Sequence, residues 1–266
     1  MKIPFAQIDA FADRPFTGNP AGVMPLDTWL PDDALQAIAQ ENNLSETAFL
    51  VPDASGASDF ELRWHTPAAE VALCGHATLA SGHYVLSGDP ARDRVNFRTR
   101  KSGILTVERG ATGYALTLPA WVATPRPLPE IAAAIGVADP VETLWHESGY
   151  ALIVTTDEHA VRALAPDMLE LRALGPIVAI ATAPGTTTDF VSRVFTPHFD
   201  IPEDPVTGSA HAVAVPYWAQ VFGRTTMTAY QASARGGHVG CELRGDQVVL
   251  TGNCVTVIEG IFTLQD

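Results

Sequence analysis

The sequence predicts an α+β protein of two similar domains, each a curled, mostly antiparallel sheet around a central buried helix. Three observations predict this. A nine-residue phrase occurs twice, as Asp59-Phe60-Glu61-Leu62-Arg63-Trp64-His65-Thr66-Pro67 and as Asp189-Phe190-Val191-Ser192-Arg193-Val194-Phe195-Thr196-Pro197. Both read D-F-x-x-R-x-x-T-P, 130 positions apart in a chain of 266, which points to an internal duplication. Each phrase runs on to a glycine that opens a small-residue, apolar segment: Cys74-Gly75-His76-Ala77 in one half, Thr207-Gly208-Ser209-Ala210 in the other. These segments, 76–86 and 209–222, contain no Asp, Glu, Lys or Arg. A helix apolar or small on every side is buried all round, and in a strand-rich chain its simplest host is a sheet curled about it.

The elements follow in order. Alternating or β-rich runs predict strands over 3–11, 47–52, 59–66, 94–100, 103–109 and 113–118 in the first half. The second half offers 141–146, 150–156, 177–183, 189–196, 226–232, 238–243 and 247–259. A helix over 31–40 starts with Pro31, Asp32 and Asp33, which suit a helical first turn. Short helices are expected over 128–135 and 166–174, each followed by a glycine, Gly136 or Gly175, that suits a C-terminal cap. Pro216 should bend the second buried helix or mark where it restarts. Ser102–Arg109 resembles Gly236–Leu243 at an offset of 134, extending the duplication beyond the helices.

At 266 residues the chain suits two domains of about 130 each, expected over 1–118 and 119–266. The last ten or so residues are free to pack back onto the first domain. Proline-rich Pro119 to Pro129 is the expected linker. Thirty acidic against 16 basic residues give a net charge of −14, which repels nucleic acid and anionic membrane surfaces. No stretch approaches the roughly 20 apolar residues of a membrane span, and the first nine residues do not read as a signal peptide. Three cysteines without C-x-x-C spacing fit a reducing compartment, so a cytoplasmic protein is expected. The remaining histidines show no H-x-x-x-H pair, and no metal centre or cofactor is predicted.

The candidate chemistry gathers at the two glycine-led helix starts. A helix N-terminus presents unpaired N–H groups and the positive end of the macrodipole, so it attracts carboxylate or phosphate. Two such ends facing one pocket would hold a small anion; the plainer reading is that the glycines permit tight entry into a buried helix. Glu46 lies where the polar run 42–45 enters an apolar strand, and burial there would make it a usable acid or base. Exposure at the strand entry is the competing reading. Asp204, five residues before Ser209, either orients His76 or caps a turn ahead of Pro205. Thr207-Gly208-Ser209-Ala210-His211 is not the G-x-S-x-G elbow of serine hydrolases. His83 and His211, inside apolar helices, read as core histidines.

Four motifs carry a resemblance: Asp9-Ala10-Phe11 with Phe16-Thr17-Gly18-Asn19-Pro20-Ala21-Gly22-Val23; Leu44-Ser45-Glu46-Thr47-Ala48-Phe49; Cys74-Gly75-His76-Ala77-Thr78; and Glu203-Asp204-Pro205-Val206-Thr207-Gly208-Ser209-Ala210. Together, and in this order along the whole chain, they resemble the PhzF-like family of phenazine-biosynthesis isomerases, which shares the fold of diaminopimelate epimerase. The resemblance implies an active site in the cleft between two similar domains, and a homodimer. It implies Glu46 as the acid/base that shuttles a proton between carbons of a small anionic substrate, with His76 and Asp204 assisting. Ser45, Gly75, Gly208 and Ser209 are implied substrate contacts. In the related epimerases a thiol precedes the glycine at both helix starts; here those positions are Cys74 and Thr207, which argues against two-thiol racemisation. A lyase or hydrolase using the same pocket, and a non-catalytic binder of small ligands, remain the alternatives.

Overall fold

The computed structural model describes residues 1–265, and the chain forms two compact units. One comprises Met1–Thr117 together with the chain from Thr251 onward; the other is Leu118–Leu250. The return to the first unit is longer than ten residues because Cys254–Thr263 is a full-length antiparallel partner of the first strand, Lys2–Ala10. Pairing a terminal strand in this way ties down both ends of the unit. Among the described residues no helix is long and apolar enough to cross a membrane.

In the first unit the strands run in the order Cys254–Thr263, Lys2–Ala10, Asn19–Pro25, Glu46–Pro52, Phe60–His65, Arg94–Thr99, Ile104–Arg109 and Tyr114–Pro119. Pairing is antiparallel except between Asn19–Pro25 and Glu46–Pro52 and between Phe60–His65 and Arg94–Thr99, so the sheet is mixed. It curls around the helix Gly75–Gly88, which touches Lys2–Ala10, Asn19–Pro25, Glu46–Pro52, both strands of the hairpin 94–109 and Cys254–Thr263. Every residue from Gly75 to Gly82 is buried. Gly82 shows why the helix carries small residues: a Cβ there would lie 2.3 Å from Val107 Cγ1 and 2.6 Å from Val107 Cβ. The helix Asp32–Asn42 covers the outside of the sheet, closing a second apolar layer of Ile3, Met24, Leu35, Ile38 and Phe49. Strand Glu46–Pro52 is therefore buried on both faces, which is why it reads E-T-A-F-L-V-P without alternation.

The second unit repeats these relations within itself. Val178–Pro184 pairs antiparallel with Phe190–Thr196, which pairs parallel with Thr226–Gln231, itself antiparallel to Gly237–Arg244. Its central helix, Gly208–Phe222, is buried from Gly208 to Val215 and runs through Pro216 without a restart. Trp218 anchors it, stacking on Phe190 and donating from Nε1 to Thr182 Oγ1 at 2.9 Å. Outside the sheet, Ile131, Ile135, Leu171 and Phe195 form an outer layer under the short helices Pro129–Ala134 and Met168–Ala173. The proline-rich segment expected to be a linker belongs to this unit, since Thr124–Pro125 pairs with Leu144–Trp145.

The repeated phrase has the same structural duty in each unit. Asp59 and Asp189 each accept a backbone N–H from the parallel neighbour strand, that of Asn96 at 2.8 Å and that of Thr228 at 2.6 Å. Arg63 grips Glu70 through Nε and Nη2, both at 2.8 Å, and Arg193 grips Glu203 at 2.8 and 2.9 Å. Both are two-pronged pairs that pin the turn leading to the central helix. The strands fall where expected, with additions. Asn19–Pro25, Glu70–Val71, Thr124–Pro125 and Ile201–Asp204 are strands without a periodic signal, and Glu158–Arg162 is an unforeseen short helix. The run 247–259 divides at Asn253 into two strands.

Candidate active site

Glu46 is delivered by a helix stop. Asn43 takes a left-handed conformation (φ 49°) and donates its N–H to Ala39 O, ending helix Asp32–Asn42. The half-buried Leu44 and Ser45 then lead into Glu46, the first residue of its strand and 9 % exposed. Parallel pairing of Ala21 with Glu46 sets this strand beside Asn19–Pro25. The turn before Asn19 is built to a tight specification. Asp9, itself buried, accepts the N–H of Phe16 at 2.8 Å, and Phe11, Phe16 and Gly18 all have positive φ. At Gly18 a Cβ would sit 2.2 Å from Ala10 O, so only glycine fits there. The turn places Asn19 in the strand with no exposure to solvent.

His76 completes the group from the first turn of the central helix. Its Nε2 lies 3.0 Å from Glu46 Oε2, an oblique contact rather than an aligned hydrogen bond. On the other edge of the ring, Nδ1 lies 3.0 Å from Asn19 Nδ2 and 3.5 Å from Cys74 Sγ. The environment separates the protonation states of the two side chains beside the helix start. Burial opposes the imidazolium of His76, but the Glu46 carboxylate beside Nε2, with Cys74 Sγ as a hydrogen-bond partner at Nδ1, outweighs burial and holds its pKa well above 6.5. Burial, reinforced by Glu46, pushes the Cys74 thiol up to about 11, so it stays protonated at neutral pH.

The helix start itself offers unpaired donors. The first bond inside the helix runs from Thr78 N–H to Cys74 O, and Cys74 provides no side-chain cap. The N–H groups of Gly75 and His76 therefore have no carbonyl one turn back to meet.

The second unit has its own group. Asp204 accepts from Thr207 Oγ1 at 2.5 Å, and Gln231, fully buried, accepts Thr207 N–H at 2.8 Å while donating to Asp204 O at 2.6 Å. With its hydroxyl committed, Thr207 does not cap the helix that it precedes, although threonine is a favoured capping residue. The N–H groups of Gly208 and Ser209 are left open as at Gly75. Ser209 Oγ accepts from Tyr150 Oη at 2.9 Å. His211 is turned away, with Nδ1 donating to Thr207 O at 2.8 Å, and burial lowers its pKa to about 4. His83 is likewise satisfied, by Tyr114 and Thr256.

Each unit thus brings together its own predicted residues: Glu46, Gly75 and His76 in the first, Asp204, Gly208 and Ser209 in the second. Register makes the asymmetry explicit. Pro52 opposes Phe60 and Pro184 opposes Phe190, so the strand position matching Glu46 is Val178. Asn19, Gln231 and Tyr150 escaped the sequence reading. Gln231 carried a signal, an amide in line with Met227 and Ala229 on one face of an alternating strand, whereas Asn19 was hidden in a proline- and glycine-rich run. Glu46, Cys74 and His76 also bring three atoms of metal-binding type within 4.8 Å of one another.

Comparison with known proteins adds a consistent picture. A family model described as a phenazine biosynthesis-like protein matches residues 8–260. An uncharacterized isomerase of Pseudomonas aeruginosa is 45 % identical over 266 residues, covering 99 % of this chain and 100 % of that protein. The human phenazine biosynthesis-like domain-containing protein is 38 % identical over 287 residues, covering 99 % and 100 %. A crystal structure of a PhzF-family protein from Enterococcus faecalis matches with a TM-score of 0.90 at 42 % identity, covering 99 % of this chain and 100 % of that one. A hydroxyproline epimerase from Agrobacterium vitis, solved with trans-4-hydroxy-L-proline, shares the fold at a TM-score of 0.65 and 10 % identity, covering 100 % and 93 %.

Proposed function

Because the chain belongs to the phenazine biosynthesis-like (PhzC–PhzF) family and is an enzyme of isomerase type, we propose that it moves a proton between carbons of a small carboxylate-bearing substrate, with Glu46 as acid and base. The observation that carries this reading is the buried contact of Glu46 Oε2 with His76 Nε2 at 3.0 Å, beside an uncapped helix start. The Glu46 carboxylate takes the proton from a carbon next to the substrate's carboxylate or allylic to a double bond, then returns it at another carbon. A positioned acid/base supplies roughly 10²- to 10⁴-fold of rate.

As the proton leaves, negative charge grows on the substrate. The N–H of Gly75 and the positive end of its helix stabilise that charge where water is excluded, and His76 supports the carboxylate as it changes charge. In this reading Ser45 contacts the substrate beside Glu46. The hydrolase alternative would need a base at Ser209; the polar contact of Ser209 Oγ is instead Tyr150 Oη at 2.9 Å, and His211, nearest in sequence, gives Nδ1 to Thr207 O.

The test is solvent exchange. Small carboxylic acids are incubated with the protein in D₂O and deuterium at carbon is followed by NMR and mass spectrometry. Turnover should carry deuterium into the substrate, and Glu46→Gln should abolish it. Full activity of Glu46→Gln would sink the mechanism; altered affinity without exchange in either protein would identify a binding protein instead.

A further inference from the structure

The buried edge of His76 that faces away from Glu46 sets a demand that few side chains meet. A ring that exchanges a proton at Nε2 passes between two forms. With the ring neutral and its proton on Nε2, Nδ1 is a bare acceptor and needs a donor. With the ring protonated, Nδ1 carries a hydrogen and needs an acceptor. At a site this deeply buried, either form left unpartnered loses a hydrogen bond that no water replaces. A carboxylate serves only the protonated form. An amide serves both, because its NH₂ and its C=O exchange places when it turns over, with almost no change of shape.

Asn19 is that amide. Its Nδ2 is 3.0 Å from His76 Nδ1, the orientation that serves the neutral ring, while the turned-over amide brings Oδ1 to the protonated one; its side chain is wholly buried, and its backbone is fixed on both sides. Ahead of it stands the Gly18 turn; beside it, Asn19 pairs with Ala10 in the sheet. The other neighbour of Nδ1, Cys74 Sγ at 3.5 Å, is a weak hydrogen-bonding group. Glu46, from its strand, and Cys74, at the start of the helix, are the titratable groups that act on the ring.

We propose that Asn19 is the positioning residue of the proton-transfer pair, its amide meeting His76 Nδ1 in either of two orientations so that Nε2 can both give up and regain a proton facing Glu46. This rests on the reading of Glu46 and His76 as the pair that moves the proton.

The experiment uses the full chain, uniformly ¹⁵N-labelled, with the His76 ring and the Asn19 side-chain amide followed by NMR across pH without substrate. In the unaltered protein the Asn19 amide resonances should move at the same midpoint as the His76 ring nitrogens. Amide resonances that stay fixed while His76 titrates would overturn the proposal, and this arm needs no variant to fold. Asn19→Asp should hold the ring doubly protonated to a pH at least one unit higher than in the unaltered protein. It should also lower kcat about 10- to 100-fold with KM changed less than threefold, the scale seen when the partner behind a metal-bound imidazole is replaced. An Asn19→Asp protein that is folded, with unchanged kcat and unchanged His76 titration, would also overturn it. Failure of the acid/base reading is separable: it would appear as full activity in Glu46→Gln, while the resting-state resonances of Asn19 and His76 report on their own coupling.

Discussion

Replacing Gly82 by Ala tests whether the close approach of helix to sheet positions the active residues. Ordinary carbon–carbon contact is about 3.5–4.0 Å. The added methyl would stand 2.3, 2.6 and 2.9 Å from Val107 Cγ1, Cβ and Cγ2, short of ordinary contact by at least about 1.2, 0.9 and 0.6 Å. Because Val107 Cβ is itself one of the clashing atoms, no rotamer change relieves the overlap, and the helix must back away from the strand. Alanine gains about 1 kcal/mol over glycine as a helix former. Overpacking of a well-filled core costs typically 1–3 kcal/mol, occasionally more. An overlap of this depth belongs at the upper end, so the expected net loss is about 2 kcal/mol.

Gly82 lies six residues, about 9 Å, along the helix from His76. A shift approaching 1 Å at His76 would stretch the 3.0 Å contact with Glu46, and misplacement on that scale can cost on the order of 100-fold in rate. Urea unfolding should show a lower midpoint at an unchanged slope. Pairing the change with Val107→Ala supplies the control. Removing the two methyls relieves the contacts with Cγ1 and Cγ2 but leaves that with Cβ, so the double variant should be more stable than the sum of the single effects predicts, by about 1 kcal/mol. A Gly82→Ala protein as stable as the parent, or strictly additive effects, would refute the argument.

Other expectations follow from the buried titratable groups. His211 has a folded-state pKa lowered to about 4, so the stability tied to its neutral form is full above about 6.5 and is lost as pH falls toward 4. Two and a half units correspond to roughly 3 kcal/mol, and His211→Gln should flatten that part of the stability–pH curve measured by denaturant titration. His76 works in the opposite sense: its raised pKa adds stability that is full below about 6.5 and fades as pH rises through the folded-state value. The stability margin of the parent over His76→Gln should therefore narrow with rising pH; a margin that widens would contradict the assignment. Cys74→Ala should retain activity within about tenfold, and the parent thiol should alkylate slowly with iodoacetamide at pH 8, because it keeps its proton until about pH 11. Rapid labelling at neutral pH would show that the thiolate is accessible.

Much of this was legible in the sequence, and for identifiable reasons. Uncharged helices announce enclosure, so segments 76–86 and 209–222 revealed the centre of each unit. The repeated phrase could be aligned because its Asp and Arg perform fixed duties, a strand-to-strand hydrogen bond and a two-pronged ion pair. Strand Asn19–Pro25 was not legible. Two prolines and a glycine in seven residues contradict strand preference, and only pairing with neighbours on both sides overrides it. Asn19 was lost with it, although the motif containing it was in plain view.

What the sequence determined by itself is therefore the parts: two enclosed helices, each opened by a glycine, and an uneven set of polar residues around them. Those features depend on composition and local spacing, which the chain states directly. Tertiary structure alone decided which parts meet. Glu46 faces one edge of His76 and Asn19 faces the other, joining residues 57 and 30 positions apart from the helix start. That arrangement follows from the parallel register of two strands and the depth to which Gly82 lets the helix sink. Both are set by packing across the whole unit, and no local spacing records them.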